Sequence, residues 1–123
     1  MDQAMGQIMH QAMDQIMNQV MNLAQFQLIS KALADPTRAE MVRVIASYKG
    51  DETPCQVLVE KFGLTPATIS HHSGELVSSG LLTMRRDGRC AFFKLNALVA
   101  RAYHMQIGKL LARRETKRAK TSA

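Results

Sequence analysis

The sequence of 123 residues contains no tryptophan, only two cysteines and no run of apolar residues long enough to cross a membrane. A membrane-spanning helix needs about 20 consecutive apolar residues, and the N-terminus lacks the basic start of a signal peptide. Two cysteines are too few for the disulfide framework of a small secreted domain. We therefore predict a single-domain, cytoplasmic protein without membrane contact.

Basic residues are absent from the first 30 positions, so the charge is uneven along the chain. All 16 Lys and Arg residues and eight of the ten acidic residues lie in residues 31–123, which gives that segment a net charge of +8. A basic domain attached to a nearly neutral segment suggests a polyanion as partner. Charge alone is weak evidence, since many basic proteins bind no nucleic acid.

Methionine recurs every four residues at positions 1, 5, 9, 13, 17 and 21, separated mainly by Gln, Ala and Ile. Good helix formers in this pattern predict one long helix from Asp2 towards Ala34. Each repeat advances about 400°, so the row drifts by about 40° per repeat and can follow a partner only part of the way. We interpret it as an enlarged dimer interface. A Cu(I) site that includes His10 is the disfavoured alternative, because methionine stripes are usually packing faces.

Three pairs of a capping residue followed by proline predict helix starts, at Asp35–Pro36, Thr53–Pro54 and Thr65–Pro66. The second helix ends at Gly63, and the third runs to about Ser79 and closes at Gly80. The first ends at Lys49 and Gly50, and we expect it to turn five side chains towards a core: Met41, Val42, Val44, Ile45 and Tyr48.

After Gly80 the pattern changes to two strand-like runs, residues 81–85 and 90–95, around a turn of residues 86–89 that contains Asp87 and Gly88. A last helix begins at Asn96, and residues 113–120 have no apolar face. The predicted fold is mainly α with a small β-hairpin. It comprises a helical extension (1–26), a winged helix-turn-helix domain (27–112) and a mobile basic tail (113–123).

The two central helices, joined through residues 63–65, have the spacing of a helix-turn-helix, whose second helix enters the major groove of DNA. The core side of this helix carries Ile69, Leu76 and Val77, and the opposite side carries Ala67, His71, Gly74 and Ser78. Short hydroxyl groups and an imidazole suit base edges and phosphates. The candidate DNA contacts are Ala67, Thr68, Ser70 and His71 on the helix, with Arg85, Arg86 and Arg89 on the wing, which is the hairpin segment of residues 84–90.

Two of these assignments have alternatives. Each wing arginine is equally well explained as part of a solvated basic turn, and Asp87 is expected to serve the turn. His71 and His72 are neighbours about 100° apart on a helix, so a shared metal ion is disfavoured. We interpret His71 as a groove contact and His72 as a packing histidine.

Four segments, taken in order, resemble the successive signatures of the ArsR family of repressors: residues 33–38 (LADPTR), 68–72 (TISHH), 80–82 (GLL) and 85–89 (RRDGR). The resemblance covers residues 27–111. It implies a homodimer joined through its N- and C-terminal helices that binds an inverted-repeat operator in double-stranded DNA and releases it when an inducer binds. The chain departs from the family at Ser73 and Gly74, where a large apolar and then a polar or basic residue is usual.

The metal sites that the resemblance implies are incomplete. The positions of the paired-thiolate site hold Pro54 and Gln56, with Cys55 between them, and the last helix has only His104 and no acidic residue before Glu115. We predict no metal and no cofactor.

The two cysteines, Cys55 and Cys90, are weak candidates for a redox pair or a soft-metal site, because the sequence cannot place them within reach of each other. The alternative is that both are ordinary packing residues.

We predict a homodimeric, sequence-specific transcriptional repressor whose small-molecule or redox effector is unidentified. One alternative is a helical protein-interaction module on a winged-helix scaffold. Another is a thiol- or soft-metal-responsive member of the same family. An enzyme is disfavoured, because the sequence offers no glycine-rich phosphate loop, clustered carboxylates or nucleophile–base pair.

Overall fold

The computed structural model describes residues 2–112, in which six α-helices surround the buried face of one small antiparallel sheet. The predicted basic tail lies outside the described residues. The elements, in chain order, are α1 (Asp2–Val20), α2 (Leu23–Leu33), α3 (Pro36–Ser47), β1 (Thr53–Pro54), α4 (Cys55–Phe62), α5 (Pro66–Ser78), β2 (Leu82–Asp87), β3 (Cys90–Leu95) and α6 (Ala97–Leu111).

The prediction of one long N-terminal helix is wrong, because the helix is interrupted between Val20 and Leu23. Asn22 adopts an extended conformation and its Oδ1 accepts a hydrogen bond from the backbone N–H of Gln25 at 2.8 Å. Asparagine is a poor residue inside a helix and a good one at its N-cap. The interruption also buries Met21, the last methionine of the row, which is 3% exposed.

The predicted helix starts at Asp35, Thr65 and Asn96 are confirmed. Asp35 caps α3 by accepting hydrogen bonds from two backbone N–H groups at 2.8 and 3.0 Å, and Thr65 caps α5 by accepting one from Thr68. Asn96 accepts one from the backbone N–H of Val99. Each helix thereby gains partners for N–H groups that its first turn leaves unpaired.

The predicted helix start at Thr53–Pro54 is wrong. These two residues form the short strand β1, which pairs with Phe93 and Phe92 of β3, and α4 begins one residue later without a side-chain cap. The side chain of Thr53 is buried in the core rather than capping the helix. Alternation cannot be recognised in a strand of two residues, so the third strand of the sheet was not predicted.

The β2–β3 hairpin is confirmed, but its turn is tighter than predicted. Arg86 and Asp87 belong to β2, with Asp87 opposite Cys90, and only Gly88 and Arg89 form the loop. Gly88 has φ +62°, as a two-residue hairpin loop with glycine at its first position requires. Asp87 is therefore both the last residue of β2 and the first of the four residues of the β-turn 87–90.

The core lies between the helices and the inner face of the sheet, and its fully buried large side chains are Ile29, Met41, Leu58, Ile69, Leu76, Leu82 and Phe93. Tyr48 was wrongly assigned to this core. Because α3 ends at Ser47, Tyr48 leaves the helix in an extended conformation and is 36% exposed. No helix within residues 2–112 is long and apolar enough to span a membrane.

Candidate nucleic-acid interface

A helix-turn-helix is formed by α4 and α5. The turn begins at Gly63, which has φ +64° and ends α4 by donating its N–H to the carbonyl of Val59 at 2.9 Å. A side chain at this φ would be strained, which explains glycine here. Leu58 of α4 and Ile69 of α5 are completely buried, so the two helices are fixed to each other and to the core.

The solvent-facing side of α5 carries the small and polar side chains predicted to read DNA. Ala67, Ser70, His71, Gly74 and Ser78 are exposed. The buried side carries Ile69, Ser73 and Leu76, and Val77 is half-buried. This division matches the predicted faces and leaves a helix surface of low relief.

Thr68 has a second role that the sequence did not indicate. It is half-buried, its backbone N–H donates to Oγ1 of Thr65, and the two hydroxyl oxygens are 3.0 Å apart. Thr68 therefore completes the N-terminal cap of α5 while lying at the edge of its exposed surface.

Ser73 and Gly74 show how α5 tolerates its unusual pair. Ser73 is 3% exposed, and its hydroxyl donates to the backbone carbonyl of Ser70 at 3.2 Å, which satisfies the buried oxygen. Gly74 is exposed, and a Cβ added there would meet no atom within 4 Å. Glycine is thus not required by packing at this position.

The two histidines of α5 differ in exposure. His71 is exposed, whereas His72 is half-buried with a buried Nδ1 that has no hydrogen-bond partner among the described residues. Their ring centroids are 5.8 Å apart. Nowhere in the described part of the chain do three His, Cys, Asp or Glu side chains come together as a metal site would require.

The three wing arginines are divided between the two faces of the hairpin. Arg86 is opposite the buried Ala91, and it lines a cleft of about 520 Å³ between the hairpin and α5 together with Arg89. From α5 the same cleft is lined by Ala67, Ser70, Gly74 and Ser78. Two arginines are therefore brought to the exposed surface of α5.

Arg85 lies outside the lining of this cleft. It is opposite Phe92 in the sheet, and its guanidinium carbon is 4.6 Å from the centre of that ring. Its Nη2 is 2.9 Å from Oε1 of Glu52. The hydrogen bond to Glu52 raises the pKa of Arg85 above its usual value.

A basic cluster that the sequence reasoning missed lies on the other side of α5. Lys31 and Arg38 line a cleft of about 260 Å³ together with His71, Glu75 and Ser78 of α5. The Nε of Arg38 donates a hydrogen bond to the backbone carbonyl of Ala32 at 2.7 Å. This bond anchors the Nε end of the guanidinium group. Arg38 is the last residue of the segment LADPTR, and its place in that segment is the sequence signal that could have identified it.

Both cysteines are free thiols, with Cys55 half-buried and Cys90 exposed. They line one cleft of about 250 Å³ between the start of α4 and the wing. The sequence could not predict this proximity, because it depends on the pairing of β1 with β3.

The chain is similar to known transcriptional regulators. It is 33% identical over 72 residues to the arsenical resistance operon repressor of Staphylococcus xylosus, an alignment that covers 58% of this chain and 66% of that repressor. No family model matches the chain.

The fold is also similar to those of solved structures. The homodimeric winged helix-turn-helix domain of a possible ArsR-family regulator from Mycobacterium bovis matches with a TM-score of 0.57 and 26% identity, over 68% of this chain and 75% of that one. A protein described as a possible transcriptional regulator for arsenical resistance matches with a TM-score of 0.60 and 25% identity. That match covers 83% of this chain and 98% of the other.

Proposed function

Because the chain belongs to the ArsR family of winged helix-turn-helix regulators, we propose that it is a transcriptional repressor that binds an inverted-repeat DNA site as a homodimer. One observation carries the proposal: basic side chains flank the exposed surface of α5 on both sides. Arg86 and Arg89 lie on the wing side, and Lys31 and Arg38 lie on the other side. The major groove of DNA is bordered by phosphates on both sides in the same way.

In this proposal α5 enters the major groove, which is about 12 Å wide and admits a single helix. Ser70 and His71 contact base edges or phosphates, because their side chains are exposed and near the N-terminal half of the helix. Ala67 and Gly74 have little or no side chain and allow the helix backbone to approach the bases closely. Thr68 contributes at the edge through its capping hydroxyl.

The basic side chains contact the DNA backbone. Arg86 and Arg89 of the wing bind phosphates or enter the adjacent minor groove, where arginine is favoured. Lys31 and Arg38 bind phosphates of the opposite flank. Arg85 would have to leave Glu52 before it reached DNA, so we expect it to contribute least of the three wing arginines.

The dimer forms through the N- and C-terminal helices. Exposed apolar side chains on α2 and α6 support this arrangement: Leu23, Leu28, Leu98, Leu110 and Leu111 are 51–72% exposed. A partner that covered these residues would remove them from water. Residues 1–26 form an extension that enlarges this interface, residues 27–112 form the DNA-binding domain, and residues 113–123 form a basic tail. A cytoplasmic location and a non-enzymatic role stay predictions that fit DNA binding.

Selection from a randomised library of duplex DNA tests the proposal. We expect an inverted repeat to be enriched, with half-site centres separated by one helical turn of about 10 base pairs or by a multiple of it. Failure to enrich any sequence would contradict sequence-specific binding.

A protein-interaction module is the second candidate, and the surface of α1 favours it. Met5, Ile8, Met9 and Ile16 are 49–69% exposed, and such a row can also dock a partner protein. Under this candidate the chain would bind inverted-repeat and scrambled DNA equally and weakly.

A further inference from the structure

The two cysteines of the chain meet where the helix-turn-helix joins the wing, in the cleft of about 250 Å³ described above. Their proximity follows from the sheet. Pro54 pairs with Phe92 in antiparallel register, Cys55 follows Pro54, and Cys90 precedes Phe92 by two residues. Cys55 and Cys90 therefore both lie beyond the same end of the paired residues Pro54 and Phe92.

Strand geometry gives the separation of the two residues. Pro54 lies opposite Phe92, so continuing that register by one residue to the start of α4 places Cys55 beside Ala91 and one residue out of register with Cys90. With about 3.3 Å of rise per residue and about 5 Å between strands, this register corresponds to Cα atoms on the order of 6 Å apart. A disulfide spans Cα separations of about 4.4–6.8 Å. The separation that the register implies therefore lies within the range that a disulfide spans.

The cysteine cleft and the DNA-facing cleft share part of their lining. Cys55, Pro66, Arg89 and Ala91 contribute to both. Pro66 is the first residue of α5, and Arg89 is in the wing loop. A displacement at the cysteines is therefore transmitted directly to an arginine that we assign to DNA binding.

We propose that Cys55 and Cys90 form a peroxide-sensing thiol pair whose oxidation releases DNA. The exposed Cys90 sulfur attacks a hydroperoxide, the O–O bond breaks, and Cys90 sulfenic acid and one water or alcohol are produced. The Cys55 sulfur then attacks the Cys90 sulfur, the S–OH bond breaks, and a disulfide and a second water are produced. Two thiols are oxidised and one hydroperoxide is reduced.

The disulfide draws the wing loop towards the start of α4 and moves Arg89 relative to α5. The effect on DNA rests on the proposed repressor function, whereas formation of the disulfide does not. The two claims are therefore measured separately.

The first measurement treats the full-length chain with stoichiometric hydrogen peroxide and analyses its peptides by mass spectrometry. We expect a Cys55–Cys90 cross-linked peptide from a monomer band on a non-reducing denaturing gel. Free thiols, intermolecular disulfides alone or stable sulfinic acid would overturn the proposal.

The second measurement compares DNA affinity before oxidation, after oxidation and after reduction with dithiothreitol. We expect at least a tenfold loss on oxidation that reduction restores. Cys90→Ser is the matched control, because it keeps all nine methionines and should bind DNA with or without peroxide. An equal loss in Cys90→Ser would show that the effect does not need the Cys55–Cys90 disulfide and would contradict the thiol switch. A disulfide without any change in affinity would contradict its regulatory role. Failure of the reduced chain to bind any DNA would count against the proposed function, and the peptide result would then stand alone.

Discussion

Neighbouring arginines on β2 have different surroundings, because successive side chains of a strand point to opposite faces. Arg86 lies on the face towards α5, whereas Arg85 is engaged by Glu52 and the ring of Phe92 on the other face. Their chemical identity is the same, so position alone separates their contributions to DNA binding.

We expect Arg86→Ala and Arg89→Ala each to weaken DNA binding several-fold on all sequences and to reduce the salt slope of log affinity by about one. Arg85→Ala is the matched control and should have the smallest effect of the three. Fluorescence anisotropy at several salt concentrations measures each variant. A loss for Arg85→Ala that equals or exceeds the loss for Arg86→Ala would contradict the assignment of faces.

The carboxyl group of Asp35 makes the stability that it gives to the start of α3 depend on pH. Its hydrogen bonds from the backbone N–H groups of Arg38 and Thr37 lower the pKa of its carboxyl group below the ordinary value of 3.8. A lowered pKa in the folded state stabilises the fold above the pKa of the unfolded state, and this contribution is lost as the pH falls through the folded value.

Asp35→Asn keeps a capping oxygen without the charge. We expect the native chain to have the higher Tm at pH 5, and the difference in Tm from this variant to shrink below about pH 4. Thermal unfolding followed by circular dichroism across this range measures it. A difference that stays constant down to pH 2 would show that the charge of Asp35 adds nothing.

Some contacts of individual residues could be predicted from the sequence, and others could not. The cap at Asp35 was predictable because its partners are two and three residues away. The ion pair of Arg85 with Glu52 was not, because it depends on how the hairpin lies against the loop before β1. The faces of Arg85 and Arg86 could have been separated by alternation along the strand. That inference requires β2 to extend to Asp87, whereas the sequence pattern predicts that Arg86 and Asp87 belong to the turn.

At the scale of elements, α5 is held in place by its buried face, although its own sequence lowers its helical stability. Its buried face is anchored by Ile69 and Leu76, but Gly74 occupies the helix interior with no packing requirement. Glycine inside a helix costs about 1 kcal/mol relative to alanine.

Gly74→Ala should therefore raise the free energy of unfolding by about 1 kcal/mol and weaken DNA binding, because the added methyl group lies on the DNA-facing surface. Gly6→Ala on α1, where added carbon also meets no atom within 4 Å, is the control. It should be neutral or stabilising without affecting DNA. Chemical denaturation and anisotropy measure the two properties. Unchanged DNA affinity in Gly74→Ala would mean that α5 does not approach the bases closely at this position.

Element boundaries were predictable where the signal was local and failed where it was not. The starts of α3, α5 and α6 each carry their own cap. The break before Leu23 was missed because the methionine period continues across it to Met21, while the decisive residue, Asn22, forms only one capping bond. Strand β1 was missed because its partner strand is far along the chain.

At the scale of the whole molecule, α1 packs along α6, and a row of apolar side chains on α1 is exposed rather than buried in the core. Asp14 of α1 faces Lys109 of α6 with 3.9 Å between Oδ1 and Nζ, which is an ion pair too long for a hydrogen bond. The exposed row on α1 is explained if a second copy of the chain covers it.

Deletion of residues 1–20 should leave a dimer that dissociates at a concentration at least tenfold higher, because less apolar surface is buried between the two copies. Met9→Gln in the full chain should shift the equilibrium in the same direction, and Gln7→Ala should not. Analytical ultracentrifugation measures all three. An unchanged dissociation constant after the deletion would remove the methionine row from the dimer interface.

The central claim is that α5 reads a specific sequence in the major groove while the basic side chains on its two sides bind the DNA backbone. The most direct test is an anisotropy titration of the selected inverted repeat and of a scrambled duplex at increasing salt, with the native chain and Arg89→Ala. We predict that the native chain prefers the inverted repeat by at least a hundredfold and that its affinity falls steeply with salt. Arg89→Ala should weaken binding to both duplexes. Equal, weak binding of the native chain to both duplexes would contradict the account.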